Sequence, residues 1–297
     1  MAGDEAGRAP VVVGVDGSQQ AFTAVGLAAH TAARQRRALR IVHAVSRPLP
    51  HLSTGTQAPA QDEVLAQDDQ RILADAAAHA AAAEPGLKTV AEVVVGPPAA
   101  ALLAAARDAS LLVLGDRGVG GFTSLLLGSV AVQVSAHSDI PVLVARGRAH
   151  PAGPVLLGVG DAPEAAAAIE MAFVEAEQRG ADLLALRTWF DPQLEVSHMA
   201  PLPYDPTPAR DTERQRLVVA LAGSRARHPE VRVREDVCAG RAGQVLVERS
   251  HDVQLVVVGA RGRGGFTGLL LGSTSQQVLH HADCPVLVVA HRQPEST

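Results

Sequence analysis

The chain has 297 residues, of which 47% are apolar and 19% charged, so it is long enough for two domains that each bury a core. A formal net charge of −5 and an aromatic content of 2% argue against nucleic acid or an anionic membrane as a partner, because those surfaces need basic and stacking residues. No segment is apolar for the length that a membrane-spanning helix requires. Two cysteines and an N-terminus without an apolar signal segment predict a reducing, cytoplasmic location.

Short apolar segments alternate with helix-forming segments along the first half. The predicted strands are residues 11–15, 39–45, 90–95, 111–114 and 141–144, and the predicted helices are residues 19–34, 72–83, 97–108 and 129–137. A loop is expected between residues 46 and 60. Strands that alternate with helices predict an α/β fold with a parallel sheet covered on both faces.

The same signals recur 144 residues later, which indicates a duplicated domain. Residues 115–144 and 259–288 are identical at 20 of 30 positions. The matching strands are predicted at residues 155–159, 183–186, 231–237, 255–258 and 286–289. We therefore expect two domains, residues 1–147 and 153–297, joined by a linker over residues 147–153.

The strongest chemical signal is a glycine pattern, G-x-x-G followed after nine residues by G-S. It occurs as Gly115, Gly118, Gly128 and Ser129, and again as Gly259, Gly262, Gly272 and Ser273. We call residues 115–129 the first glycine loop and residues 259–273 the second. Glycine lets backbone N–H groups approach a phosphate, and the start of the following helix adds free N–H groups and the positive end of its dipole. The alternative is that these glycines serve tight turns only.

Two kinds of charged residue lie at the same strand ends. Arg117 and Arg261 are suited to phosphate or ribose oxygens, although solvated loop residues are an equal alternative. Asp16 follows the first strand, where it can accept a hydrogen bond from a ribose hydroxyl or an adenine amine, or form an Asx turn before the first helix. The lone Lys88 is not part of a G-K-[ST] phosphate loop.

Together with V-G-V-D-G-S at residues 13–18 and P-V-L-V at residues 141–144 and 285–288, this pattern resembles the ATP-binding branch of the universal stress protein family. The resemblance covers nearly the whole chain and implies two tandem Rossmann-like domains with open five-stranded sheets of order 3-2-1-4-5. It also implies ATP as ligand, with an accompanying Mg²⁺ left open, a homodimer of tandem chains, and a role in stress survival or growth control. The nucleotide-binding residues it implies are Gly14, Asp16, Ala44, Leu114, Gly115, Arg117, Gly118, Gly128, Ser129, Val130 and Ala131 in the first half, and Gly158, Thr188, Val258, Gly259, Arg261, Gly262, Gly272, Ser273, Thr274 and Ser275 in the second.

The second half departs from this pattern at its adenosine end. Gly160 stands where the first half has Asp16, with Asp161 one residue later, and Thr188 followed by Trp189 replaces Ala44 and the valine after it. The matching glycine loops predict similar phosphate binding, whereas the different adenosine ends predict two unequal sites.

The leading functional hypothesis is an ATP-binding regulator that hydrolyses ATP slowly at most, because no motif supplies a general base beside the glycine loops. An alternative is a module that binds AMP or cyclic AMP, or that dimerises without a ligand. A third is an adenylyl-transfer enzyme, but the S-G-G-x-D-S and H-I-G-H motifs of such enzymes are absent from the sequence. No metal site is expected from the protein's own side chains.

Overall fold

A computed structural model gives the structure of the chain. It describes residues 8–46, 58–119, 127–162, 165–189, 205–261 and 271–290. The chain divides into two compact units, residues 1–145 and 146–297. The residues of the predicted linker fall in the second unit, where the backbone N–H of Arg148 donates to the carbonyl oxygen of Asp283.

The first unit is an open parallel sheet with helices between its strands. Its elements are β1 (Val11–Val15), α1 (Gln19–Arg34), β2 (Leu39–Val45), α2 (Ala58–Ala83), β3 (Thr89–Val95), α3 (Pro98–Ala105), β4 (Leu111–Gly115), α4 (Ser129–His137) and β5 (Val142–Ala145). The strand order is β3-β2-β1-β4-β5, and all neighbours pair in parallel.

The core of the first unit explains why these segments fold as they do. Val11, Val12 and Val13 have no exposed surface, as expected for a central strand covered by helices on both faces. Ser18 caps α1 because its Oγ accepts a hydrogen bond from the backbone N–H of Ala21 at 3.1 Å. This cap fixes the direction in which the chain leaves β1, and so positions the residues that follow the strand.

The second unit repeats the arrangement. Its elements are β6 (Val155–Gly158), α5 (Ala165–Arg179), β7 (Leu183–Trp189), α6 (Thr207–Arg227), β8 (Val233–Ala239), α7 (Ala242–Arg249), a 3₁₀ turn (Ser250–Asp252), β9 (Leu255–Gly259), α8 (Ser273–His281) and β10 (Val286–Val289). The order β8-β7-β6-β9-β10, again parallel between neighbours, is the same 3-2-1-4-5 order. The predicted fold class is confirmed.

Some predicted boundaries are wrong for identifiable reasons. Helix α2 begins at Ala58 rather than at residue 72, because the polar residues before its alanine run are themselves good helix formers. Helix α3 ends at Ala105 rather than at residue 108, since the chain needs a turn before β4. Strand β7 continues to Trp189, because its pairing with β8 carries it through the polar pair Arg187 and Thr188.

Candidate functional site

The predicted residues of the first unit converge at the carboxyl ends of the central strands. Gly14, Ala44, Leu114 and Gly115 lie on β1, β2 and β4, Asp16, Arg117 and Gly118 follow those strands, and Gly128, Ser129, Val130 and Ala131 open α4. Ligands of open parallel sheets bind beyond this edge. The part of the loop from residue 120 to residue 126 lies outside the described residues.

The carboxylate of Asp16 joins the turn after β1 to the first glycine loop. Its Oδ1 accepts hydrogen bonds from the backbone N–H of Ser18 at 3.0 Å and from Ser18 Oγ at 2.6 Å. Its Oδ2 accepts a hydrogen bond from the backbone N–H of Val119 at 2.8 Å. A Cβ atom at Gly118 would collide with this Oδ2. Asp16 therefore forms the Asx turn and also contacts the first glycine loop, while its contact with a nucleoside stays a prediction.

Two other predicted glycines are required by packing. A Cβ atom at Gly14 would lie 2.7 Å from Leu114 Cδ2, and one at Gly115 would lie 2.9 Å from the carbonyl oxygen of Gln20. These positions exclude a side chain whether or not a ligand is bound, because backbone and leucine atoms already occupy the space. Their glycines are evidence for tight packing under the site rather than for ligand contact.

The start of α4 offers the chemistry that an anion needs. Gly128 is its N-cap residue, and no side chain of the described residues caps the helix. The backbone N–H of Gly128 donates to the carbonyl oxygen of Asp116 at 2.7 Å, which holds the helix start against the end of β4. Helix α1, by contrast, is capped by Ser18. The first-turn N–H groups of α4 and the positive end of its dipole are therefore suited to bind phosphate.

The backbone of Arg117 lies beside this helix start, since a Cβ atom on Gly128 would be 3.4 Å from the Arg117 Cα. Its side chain is 42% exposed, and its Nε lies 3.8 Å from Asp116 Oδ2. Such a loose ion pair leaves the guanidinium free to turn towards a bound anion, and it is also what a solvated loop residue would show. The geometry leaves both interpretations of Arg117 in place.

Sequence reasoning missed a buried pair beneath the site, His43 and Asp69. His43 Nδ1 donates to the carbonyl oxygen of Val15 at 2.8 Å, because a carbonyl can only accept. His43 Nε2 lies 3.2 Å from Asp69 Oδ1, and both residues are at most 9% exposed. The pair ties β2 to α2 and to the residue before Asp16. The repeat holds a signal for it, since the matching positions are again a base and an acid, Arg187 and Glu213.

In the second unit, helix α8 begins in the same way as helix α4 of the first unit. Gly158, Thr188, Val258 and Gly259 lie on β6, β7 and β9, Arg261 follows β9, and Gly272, Ser273, Thr274 and Ser275 open α8. The predicted residue Gly262 lies outside the described residues. The backbone N–H of Gly272 donates to the carbonyl oxygen of Ala260 at 2.7 Å, which matches the bond at Gly128. The hydroxyl of Ser275 donates to the carbonyl oxygen of Gly259 at 2.6 Å.

The turn after β6 differs from its counterpart. No atom of the described residues lies within 4 Å of a Cβ atom placed on Gly160. The carboxylate of Asp161 instead accepts a hydrogen bond from Arg187 Nη2 at 2.5 Å, and Arg187 Nε donates to Glu213 Oε2 at 2.5 Å. The Arg187 side chain is 4% exposed. Burial opposes its charge, but the hydrogen bonds that it donates to Asp161 and Glu213 outweigh that effect and raise the pKa of Arg187. Asp161 is thus held by a buried cation.

The described part of the chain holds no group of three or more His, Cys, Asp or Glu side chains arranged to bind a metal ion. In that same part, no helix is long and apolar enough to cross a membrane.

Comparisons with known proteins show which proteins the chain is similar to. The profile of the Universal stress protein family matches residues 8–146 and 152–290. A universal stress protein of Mycobacterium tuberculosis is 36% identical over 289 residues, which cover 94% of this chain and 95% of the relative. One from Mycolicibacterium smegmatis is 33% identical over 293 residues, which cover 95% and 97%. The crystal structure of a universal stress protein from Archaeoglobus fulgidus has a TM-score of 0.68 at 20% identity and covers 95% of this chain and 98% of that one, a likeness of fold.

Proposed function

Because the chain belongs to the universal stress protein family, we propose that it binds ATP at the carboxyl ends of its strands and regulates stress survival or growth. The phosphates would lie at the starts of α4 and α8, and the adenosine would lie towards the ends of β1 and β2 or of β6 and β7. All the predicted site residues, including Gly262, belong to this proposal.

The start of α4 is the observation that carries the proposal. A helix that opens on glycine, with no side-chain cap among the described residues and with its first N–H tied to Asp116, presents several backbone donors to one anion. The equivalent start of α8 has the same N-cap glycine and the same backbone bond. If these glycines served tight turns alone, the helix starts that follow them would not also need to lack a side-chain cap in both units.

Asp16 supports a nucleoside at the first site. Its carboxylate already accepts three hydrogen bonds, so it is a strong acceptor at the place where a ribose hydroxyl or an adenine amine would arrive. A carboxylate has about four acceptor positions, so these three bonds leave one for a donor group of the nucleoside. No sequence motif supplies a general base beside the glycine loops. We therefore expect slow hydrolysis at most.

Binding of ATP is tested by equilibrium dialysis of the full chain against ATP, AMP and cyclic AMP, with mass spectrometry of nucleotide that co-purifies. The decisive variants are Gly118→Glu and Gly262→Glu, which place a carboxylate where a phosphate is expected. The matched control is Val219→Glu, because Val219 is 65% exposed on α6 and the substitution adds the same charge away from both glycine loops.

Each glycine variant is expected to lose one of two bound ATP molecules, and the double variant both, while the control keeps two. ATP retained by the double variant at the wild-type level would contradict the phosphate assignment. Binding of AMP or cyclic AMP with exclusion of ATP would favour the alternative ligand, and the absence of any nucleotide would favour a dimerisation module.

Location and assembly are further parts of the proposal. Cys238 and Cys284 are free thiols, which is consistent with the cytoplasm. Burial raises the pKa of the Cys284 thiol to about 12, so this thiol stays protonated and unreactive at neutral pH. We expect a homodimer of tandem chains, which sedimentation equilibrium of the full chain would measure directly.

A further inference from the structure

The buried pair of His43 and Asp69 is connected to the acid of the first proposed nucleotide site. His43 and Val15 are register partners in β2 and β1, and His43 Nδ1 donates to the carbonyl oxygen of Val15 at 2.8 Å. Val15 directly precedes Asp16. Because a peptide group is planar, the direction of the Val15 carbonyl oxygen also fixes the amide nitrogen and the Cα atom of Asp16. The bond from His43 therefore acts on the backbone that carries the Asp16 side chain.

Asp69 holds the imidazole of His43 in the position that this bond needs. His43 Nε2 lies 3.2 Å from Asp69 Oδ1, and both residues are buried. A hydrogen bond at one ring nitrogen sets the orientation of the imidazole and so the direction in which the other nitrogen points. Since Asp69 belongs to α2, this helix contributes to the geometry of the turn after β1.

Asp16 extends this series of contacts to the first glycine loop. Its Oδ1 accepts from the backbone N–H and the hydroxyl of Ser18, and its Oδ2 accepts from the backbone N–H of Val119. The side chain is short, so a change in the direction of its Cα–Cβ bond would move both carboxylate oxygens. Hydrogen bonds thus connect α2, through His43 and the end of β1, to the loop that is proposed to bind phosphate.

The second unit shows the consequence of a different base at this place. Arg187 stands at the position of His43, and its Nη2 donates to the carboxylate of Asp161. The base of the first unit donates to the backbone before Asp16 and leaves the carboxylate to the glycine loop. The base of the second unit binds the carboxylate itself. The direction of the acid in this turn therefore depends on which base lies beneath it.

We propose that His43 is a positioning residue of the first nucleotide site, which holds Asp16 in its direction through the carbonyl oxygen of Val15. The inference rests on the proposed nucleotide binding and deepens it. His43 is 7% exposed, so it acts through Asp16 and not by contact with the nucleotide. What matters for binding is then the donor at Nδ1, whereas the bond at Nε2 supports the fold.

Two variants of His43 separate positioning from support of the fold. In His43→Asn the amide nitrogen takes the place of Nδ1, so the side chain can still donate to Val15 while the bond to Asp69 is lost. In His43→Gln the longer side chain reaches towards Asp69, and the donor to Val15 is lost. Circular dichroism reports whether each variant is folded. If His43→Gln does not fold, His43→Leu takes its place, because it removes the same donor.

The control is His137→Gln. His137 Nδ1 also donates to a backbone carbonyl oxygen, that of Gln133 at 2.8 Å, but at the end of α4 opposite to Gly128. The same substitution there removes the same kind of bond away from the turn after β1. Every variant is made in a full-length reference chain that carries Gly262→Glu, so that calorimetric titration with ATP measures the first site.

Two measurements test the proposal, one without nucleotide and one with it. Amide hydrogen exchange followed by NMR reports on the Val119 N–H, which is bonded to Asp16. We expect faster exchange at Val119 in His43→Gln, and ATP binding about 3- to 10-fold weaker, as for the loss of one hydrogen bond between neutral groups. In His43→Asn and His137→Gln, both quantities should stay within about twofold of the reference chain, because the bond to Val15 is kept.

Unchanged exchange at Val119 and unchanged ATP affinity in folded His43→Gln would overturn the positioning role. Equal losses in His43→Asn and His43→Gln would overturn it as well, because the donor to Val15 would then not be the cause. If the reference chain binds no ATP, the proposed function of the first site is contradicted. The exchange of the Val119 N–H still decides in that case whether His43 positions Asp16.

Discussion

The two units share a strand order and a helix start that opens on glycine, yet they differ in the side chains at the turn beyond the first strand. In the first unit, the carboxylate of Asp16 reaches the glycine loop through the N–H of Val119. In the second, Gly160 leaves that place empty of a side chain, and Asp161 is bound to Arg187. Duplication thus preserved the proposed phosphate end of the site, which depends on backbone groups, while the proposed adenosine end, which depends on side chains, diverged.

The buried side-chain pair below this turn also differs between the two units. His43 and Asp69 join β2 to α2 in the first unit, and Arg187 and Glu213 join β7 to α6 in the second. The second cation is permanently charged and has two carboxylate partners, which explains why Asp161 is held there. The exchange of His43 for Arg187 at the base of the site thus accounts for the bound position of Asp161.

The largest expected effect is on stability, from Arg187→Met. This change leaves Asp161 and Glu213 without their buried cation, which should cost about 3 kcal/mol of unfolding free energy. Glu213 keeps a second partner in Arg216 at 2.8 Å, which favours the lower end of the range for broken buried pairs. Urea unfolding followed by the fluorescence of Trp189, the single tryptophan, reports on the second unit directly.

The matched variant is His43→Leu, followed by circular dichroism because the first unit contains no tryptophan. It should destabilise less, since it leaves one carboxylate, that of Asp69, without its partner. If His43→Leu lowers the free energy of unfolding as much as Arg187→Met does, the two buried pairs contribute equally to stability and the expected difference between the units is wrong.

A smaller effect is expected on nucleotide affinity. Asp16→Ala should weaken ATP binding at the first site by about 10- to 100-fold, because a charge-assisted hydrogen bond contributes roughly 1.5–3 kcal/mol. Asp161→Ala should weaken the second site by less than about tenfold, since its carboxylate is held by Arg187. Calorimetric titration of the two variants measures both. If Asp161→Ala weakens ATP binding by more than about tenfold, then Asp161 breaks its hydrogen bond to Arg187 and binds the nucleotide itself.

The smallest expected effect is a pH dependence confined to the second unit. Hydrogen bonding to Arg227 chiefly lowers the pKa of Glu170, which bridges α5 and α6, from 4.5 to about 2. A lowered folded-state pKa contributes stability that is present above about pH 4.5 and lost as the pH falls towards 2. Urea midpoints read by Trp189 fluorescence between pH 5 and pH 2.5 should fall less steeply in Glu170→Gln. An unchanged slope in that variant would assign the acid sensitivity to other groups.

The alternation of strands and helices could be predicted from the sequence because apolar periodicity is a local signal, whereas the strand order 3-2-1-4-5 was implied by the resemblance to the universal stress protein family. Sequence reasoning missed His43 with Asp69 and Arg187 with Glu213, because the partners are 26 residues apart and meet only once a strand and a helix have packed. The start of α2 at Ala58 was missed because polar helix formers resemble a loop in hydropathy. The capture of Asp161 by Arg187 could not be predicted, since the sequence places the acid beside Gly160 without indicating where its side chain turns.

We propose that the two sites are unequal because, among the described residues, a carboxylate is directed at the glycine loop in the first unit only. Calorimetric titration of ATP into Gly262→Glu and into Gly118→Glu measures the first and the second site in turn, each within the full chain. We expect the first site to bind ATP about tenfold more tightly than the second site, which is the lower end of the affinity that one charge-assisted hydrogen bond provides. Equal affinities would mean that Asp16 only shapes the turn, and that apolar contacts and backbone groups hold the adenosine in both units.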